Sequence, residues 1–312
     1  MSVVSMGELL IDFVALESGV SVGEASGFQK APGGAPANVA VAVARLGHKS
    51  AFIGQVGDDP FGHYLAGVLA ETGVDTSGLR FHQGARTALA FVSLAAGGER
   101  SFVFYRHPSA DMLMEPKDVV MGVIEAARIF HYGSITLIGE PSRSATVAAA
   151  RFARDRGLTV SYDPNLRLAL WPDADAAREG MLAGLEYAHV VKISDEELEF
   201  MTGGSDVAPL WRGDMQLIVV THGENGATAY TRDGQSVHQP SYRVEPVDTT
   251  GAGDGFVAGV LAGILEHPDN YLDHMPSILQ LANAVGAMAT MRRGAIPALP
   301  LRDDVESFMA RG

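Results

Sequence analysis

The chain has 312 residues, 47% of them hydrophobic and 19% charged, an apolar content that excludes an intrinsically disordered protein. Cysteine is absent, which rules out disulfide scaffolds, thiolate zinc sites and cysteine nucleophiles together. With 23 Lys and Arg against 37 Asp and Glu, the net charge of −14 repels nucleic-acid phosphates, and no basic stripe offsets it: Arg292 and Arg293 form only a doublet.

Residues 1–14 carry Glu8 and Asp12 and lack a basic segment and a cleavage pattern, so they read as a first strand rather than a secretory signal. Apolar runs fall short of the ~18–20 residues of a spanning helix, and a soluble cytoplasmic protein without a membrane partner is expected. Further β-branched runs at 3–6, 51–54, 129–132, 158–162, 190–193 and 217–221 predict buried parallel strands. Helix-period segments at 35–46, 60–71 and 143–156 lie between them, closed by Gly47, Gly73 and Gly157 where a left-handed residue ends a helix. Strand and helix in alternation mean a parallel α/β sheet with right-handed crossovers.

Two segments break that rhythm, about 13–30 and 85–106. In the second, Leu89–Leu94 and residues 101–105 flank the turn signal Ala96-Gly97-Gly98-Glu99, which predicts a hairpin. The economical reading is a small antiparallel sheet projecting from the α/β body as a lid. No repeat, low-complexity tract or linker marks a second domain, so residues 1–312 read as one functional unit.

Five segments could carry chemistry. Pro32-Gly33-Gly34-Ala35-Pro36-Ala37-Asn38 is a glycine turn opening a helix, and Asn38 on its apolar face is either a satisfied structural amide or a ligand contact. Asp163-Pro164-Asn165-Leu166-Arg167 follows a predicted strand, where ligands sit in open α/β sheets; it suits an oxygen-rich ligand or a plain Asx turn. Ser194-Asp195-Glu196-Glu197 offers acids that could organise water around Mg2+ or simply favour a helix start; the plain account suits Asp195 and Glu196, and Glu197 stays open. Thr221-His222-Gly223-Glu224-Asn225-Gly226 permits close backbone approach to phosphate or an ordinary turn. In Asp248-Thr249-Thr250-Gly251-Ala252-Gly253-Asp254 the small residues expose backbone N–H groups at a helix start, a site for an anion. Asp254 beside such a site is explained by a proton to accept from an attacking hydroxyl, or belongs to a common glycine-rich helix start with acidic first-turn residues.

Taken together and in this order, the segments resemble the ribokinase-family (PfkB-type) carbohydrate kinases over essentially the whole length. The motifs Gly7-Glu8-Leu9-Leu10-Ile11-Asp12-Phe13, Phe104-Tyr105-Arg106-His107-Pro108 and Arg293-Gly294-Ala295-Ile296-Pro297 are most similar to fructokinases. The resemblance implies a doubly wound α/β body with a β-sheet lid, ATP along the C-terminal half and a sugar between body and lid. It implies Asp254 as catalytic base, with the N–H groups of Gly251, Ala252 and Gly253 holding the transferring phosphoryl. Asp12, Gly34, Asn38, Arg106 and Arg167 then contact the sugar, while Lys192, Thr221, Gly223, Gly226 and Asn283 face the nucleotide. Glu197 would act on Mg2+ through water, and Asp248 and Thr250 match positions beside a monovalent cation, K+. One departure is Ser194, where the family's Asn-x-x-Glu motif has an amide.

The implied reaction moves the γ-phosphoryl of ATP to a primary sugar hydroxyl, foremost O6 of D-fructose. The runner-up substrate is 2-keto-3-deoxygluconate, whose carboxylate Arg106 and Arg167 could serve. A catalytically silent sugar-sensing or interaction protein is the reading from another class, and it has no need of Asp254. Aromatic residues Phe102, Phe104 and Tyr105 would let the hairpin cover the site, and apolar lid surface would support a homodimer.

Overall fold

The computed structural model describes residues 2–94 and 100–311. The turn signal at 96–99 and the side chain of Phe102 lie outside what it describes. In chain order the strands are β1 (Ser2–Met6), β2 (Leu10–Ser18), β3 (Phe28–Gly33), β4 (Lys49–Gly57), β5 (Val74–His82), β6 (Leu89–Leu94) and β7 (Arg100–Tyr105). They continue as β8 (Ile129–Gly133), β9 (Thr159–Asp163), β10 (Val190–Ser194), β11 (Leu217–Thr221), β12 (Ala227–Thr231) and β13 (Ser236–Gln239).

Nine of these form one sheet in the order β13-β12-β11-β10-β9-β8-β1-β4-β5. From β11 to β5 every neighbouring pair is parallel, and β12 and β13 add an antiparallel edge. The β-branched runs are buried on both faces because side chains alternate between two cores. Val3, Val190 and Leu217 enter a core with the helices Ala35–Arg45, Ala252–Glu266 and Met275–Ala289. Their neighbours Val4, Val191 and Ile218 enter another with Ser142–Asp155, Ala174–Gly184 and Asp195–Thr202. Helix ends fall as the sequence predicts, with Gly47, Gly73 and Gly157 at φ 87°, 85° and 74°.

Two expectations are corrected. Residues 1–14 are not one strand: β1 ends at Met6 and the chain crosses at Gly7-Glu8-Leu9 into the second sheet. A Cβ on Gly7 would lie 2.4 Å from Pro36 Cγ, so the crossing passes where only glycine fits. The second sheet, β3-β2-β6-β7, is not purely antiparallel. Its central pair β2 and β6 is parallel, with Ile11 opposite Leu89 and Phe13 opposite Phe91. Each of the two strands follows a body strand, β1 or β5, and those run parallel, so both enter the small sheet with the same polarity.

β5, β12 and β13 escaped the sequence reading because they approach the sheet edges and carry polar, partly exposed residues in place of apolar runs. From β1 the chain first builds outward through β4 and β5, then resumes at β8 on the other flank. That reversal opens a crevice beyond the carboxyl ends of the central strands, the usual ligand position in such sheets.

Candidate active site

Gly251 precedes the helix Ala252–Glu266 with φ 81°, a left-handed conformation, and a Cβ there would approach Ala295 Cα to 3.0 Å. The helix is almost wholly buried, and its first turn carries Asp254 into the interior. Asn38, from the helix Ala35–Arg45, donates Nδ2 to Asp254 Oδ2 at 2.7 Å. Burial raises the Asp254 pKa, while the Asn38 bond and the charges of Arg167 and Lys192 pull it back. Asn38 Oδ1 is buried and without a partner, an acceptor placed beside the acid. Among the three expected cradle donors, the N–H of Ala252 makes a 3.3 Å turn bond to the Thr249 carbonyl, which an arriving anion would have to displace.

Lys192 reaches the same place from the end of β10. Its Nζ lies 3.2 and 3.4 Å from the Asp163 carboxylate oxygens, and a Cβ on Gly253 would meet it at 3.3 Å. Burial works against the ammonium, but Asp163, Glu197 and Asp254 more than compensate, so Lys192 is charged. The segment after β9 is the Asx turn the sequence allowed: Asn165 sits at φ 47° and donates its N–H to Asp163 Oδ1 at 3.1 Å. Ser134 Oγ donates to the Pro164 carbonyl at 2.5 Å, and Leu166 N–H donates to Glu197 Oε1 at 2.7 Å. Arg167, next in the chain, donates Nη1 to the Leu166 carbonyl at 3.0 Å.

Glu197 therefore anchors backbone on both oxygens, since Oε2 accepts the Ser194 N–H at 2.9 Å while Ser194 Oγ accepts the Glu197 N–H at 3.1 Å. The serine that departs from the family pattern closes this capping box. Asp248 Oδ1 accepts from the N–H and Oγ1 of Thr250 at 3.0 and 2.7 Å, and Oδ2 accepts the Gly294 N–H at 2.9 Å. Thr221 donates Oγ1 to the Ile193 carbonyl at 3.5 Å at the end of β11, close to Gly223 at φ 56°. Gly226 and Asn283 converge on one segment. A Gly226 Cβ would fall 2.1 Å from the Gln239 carbonyl, and Asn283 Nδ2 donates to the Gln239 and Pro240 carbonyls at 3.0 and 3.2 Å.

On the lid side, Gly33 makes room for Asp12, whose Oδ2 would be 2.2 Å from a Cβ there. Gly34 at φ 112° packs against the Glu8 backbone, 2.3 Å from its carbonyl oxygen to the site of a Cβ. Arg106 is buried, with Nε and Nη2 donating to Asp111 Oδ2 at 2.9 and 2.5 Å, and Ser109 Oγ donates to Asp111 Oδ1 at 2.5 Å. Glu8 Oε1 accepts the Ala35 N–H at 2.9 Å; burial pushes this carboxyl up to about 7. The sequence reading gave no role to Glu8 or Asp111, and for Asp163 no ion pair with Lys192. Their signal was a charge inside a run otherwise fit for the core, as at Glu8 between Met6 and Leu9.

Phosphate suits this helix start, which two glycines clear and an ammonium faces, while the orphaned Asn38 amide oxygen beside the acid suits a hydroxyl donor. Among the described residues no group of three or more His, Cys, Asp or Glu could hold a metal ion.

A helix-flanked, mostly parallel sheet with a small β-sheet beside its crevice and a buried acid at a glycine-cleared helix start defines the ribokinase-like kinase class. The chain belongs to the pfkB family of carbohydrate kinases, whose family model matches residues 1–302. It is 51% identical to fructokinase-1 of Oryza sativa subsp. japonica over 98% of this chain and 97% of that one. The structure of the Xylella fastidiosa fructokinase with bound ATP superposes with a TM-score of 0.90 at 37% identity, covering 99% of this chain and 98% of that chain. A fructokinase double mutant from Vibrio cholerae O395, in a form with fructose, ADP and potassium ion bound, gives 0.88 at 36% identity, with 99% and 98% covered.

Proposed function

We propose that this carbohydrate kinase is a fructokinase, transferring the γ-phosphoryl of ATP to O6 of D-fructose in the cytoplasm. The observation that carries the reading is the Asn38 to Asp254 hydrogen bond at the glycine-cleared helix start, joined to the chain's identity with fructokinases. Asp254 takes the proton from the sugar hydroxyl as the oxygen attacks, and Asn38 fixes which carboxylate oxygen is turned toward the substrate. Asn38 Oδ1 accepts a second sugar hydroxyl, and Asp12, Gly34, Arg106 and Arg167 complete that shell. The N–H groups of Gly251, Ala252 and Gly253 and the Lys192 ammonium receive the phosphoryl oxygens once Ala252 gives up its turn bond to Thr249. Thr221, Gly223, Gly226 and Asn283 hold the nucleotide.

Glu197 would hold Mg2+ through water beside the nucleotide, where the ion would supply neutralisation of the phosphate charge. Asp248 and Thr250 would adjoin a monovalent cation, K+. The whole chain acts as one unit whose small sheet closes over the sugar to exclude water, and which pairs two copies into a homodimer. A coupled assay of ATP consumption over a sugar panel tests the reading, with fructose expected as the preferred acceptor. Asp254→Asn is expected to lower turnover by about 10²–10⁴-fold while ATP binding persists, because the cradle is backbone. Turnover near that of the wild type would remove Asp254 as the base.

A further inference from the structure

Two arginines reach the sugar side of the site, and the fate of their charge decides what the pocket accepts. Arg167 lies close enough to Asp254 to stabilise its ionised form. Arg106 is committed more fully. Nε and Nη2 both donate to Asp111 Oδ2, Ser109 fixes the other Asp111 oxygen, and both members of the pair are buried. Nη1 carries no hydrogen bond to the described residues. A second buried carboxyl, Glu8, lies near enough to Arg106 for their charges to interact and is held in place by the Ala35 N–H at the start of the helix that carries Asn38.

We infer that Glu8 and Asp111 set the substrate class, neutralising Arg106 so that the pocket takes an uncharged ketohexose and rejects a sugar acid. The inference rests on the fructokinase reading and deepens it. One guanidinium between two carboxyls leaves a local charge of zero or below, whichever form Glu8 adopts. Burial has pushed Glu8 up to about 7 despite the nearby arginine. A substrate carboxylate buried beside Arg106 would find that cation already paired with Asp111, and an unpaired buried anion is strongly disfavoured. A hydroxyl asks only for a hydrogen bond, which Arg106 Nη1 can donate without giving up Asp111.

The test compares kcat/KM for D-fructose and for 2-keto-3-deoxygluconate in the full-length wild type, Glu8→Gln and Asp111→Asn. Glu8→Gln retains an acceptor for the Ala35 N–H while removing the charge, so it remains informative should Asp111→Asn fail to fold. Asp111→Asn is expected to shift the fructose-to-acid ratio toward the acid by about tenfold or more, because a buried charge loses its partner and a substrate group replaces it, and Glu8→Gln is expected to shift it the same way when assayed well above pH 7, where it removes a negative charge beside the acid. The change should fall on KM for the acid, whereas loose packing alone would weaken both sugars in parallel. A ratio within about twofold of the wild type in Glu8→Gln at that pH, well below the ~10-fold that a pocket contact contributes, overturns the inference and leaves the fructokinase reading intact. A wild type that prefers the acid, or phosphorylates neither sugar, overturns the fructokinase reading itself.

Discussion

Asp254, the base proposed above, is tuned by neighbours from distant parts of the chain. Asp254 must be ionised to accept a proton, so turnover falls as pH drops through its pKa. Burial raises that pKa, and the bond from Asn38 lowers it by favouring the charged form. In Asn38→Ala the lowering contribution is lost, and the acid limb of the pH profile of kcat should move to higher pH; a limb that stays put or moves down contradicts the assignment. At the sugar shell, Gly33 has no positive φ and could accept a side chain as far as its backbone is concerned. Its Cβ would nevertheless sit 2.2 Å from Asp12 Oδ2. Gly33→Ala should therefore turn Asp12 aside and raise the sugar KM by about tenfold, the scale of one lost polar contact of ~1.4 kcal/mol, with the ATP KM little changed. Steady-state kinetics with each substrate varied in turn will read this.

Secondary-structure elements show the same competition between local preference and packing. Helical glycine costs up to about 1 kcal/mol relative to alanine, yet the helix Ala252–Glu266 contains Gly255, Gly259 and Gly263. A Cβ on Gly259 would meet Ala282 Cα at 2.5 Å, backbone that cannot swing away, and one on Gly263 would meet Ile278 at 2.6 Å. These glycines let the helix lie close against Met275–Ala289, and so fix the depth at which Asp254 enters the site. Gly67 in the helix Pro60–Glu71 is the contrast, with nothing within 4 Å of its Cβ position. Denaturant unfolding should show Gly67→Ala stabilised by about 0.4–1 kcal/mol and Gly259→Ala destabilised by about 1–3 kcal/mol. The same substitution takes opposite signs because in one case the gain in propensity is unopposed.

At the scale of the whole molecule, the proposed phosphate side of the site lies on the body and part of the proposed sugar side on the small sheet. Asp12 lies on β2, and Arg106 follows β7 directly. The small sheet also carries apolar surface that the body leaves uncovered: Leu16 and Tyr105 are each 62% exposed and Val103 41%. Surface of this kind fits the homodimer proposed above. Leu16→Asp should shift the mass measured by light scattering toward the monomer, and an unchanged mass would separate the small sheet from any assembly.

Much of this protein was legible in its residues. The parallel sheet followed from short apolar runs, because strands buried on both faces require them, and the helix ends followed from glycines that alone adopt left-handed backbone cheaply. Asp254 and its glycines stand within one segment, so local chemistry sufficed to single them out. The polar edge strands and the parallel β2–β6 pairing were not legible, since neither leaves a local pattern. Nor were Glu8, Asp111 and the Lys192 to Asp163 bond as parts of the site. A charge in an apolar run announces that it must be satisfied, but the partner is chosen by which strands become neighbours. Asn38 and Asp254 are 216 positions apart, and only the packing of two helices on one face of the sheet joins that amide and acid into the hydrogen-bonded pair proposed as catalytic.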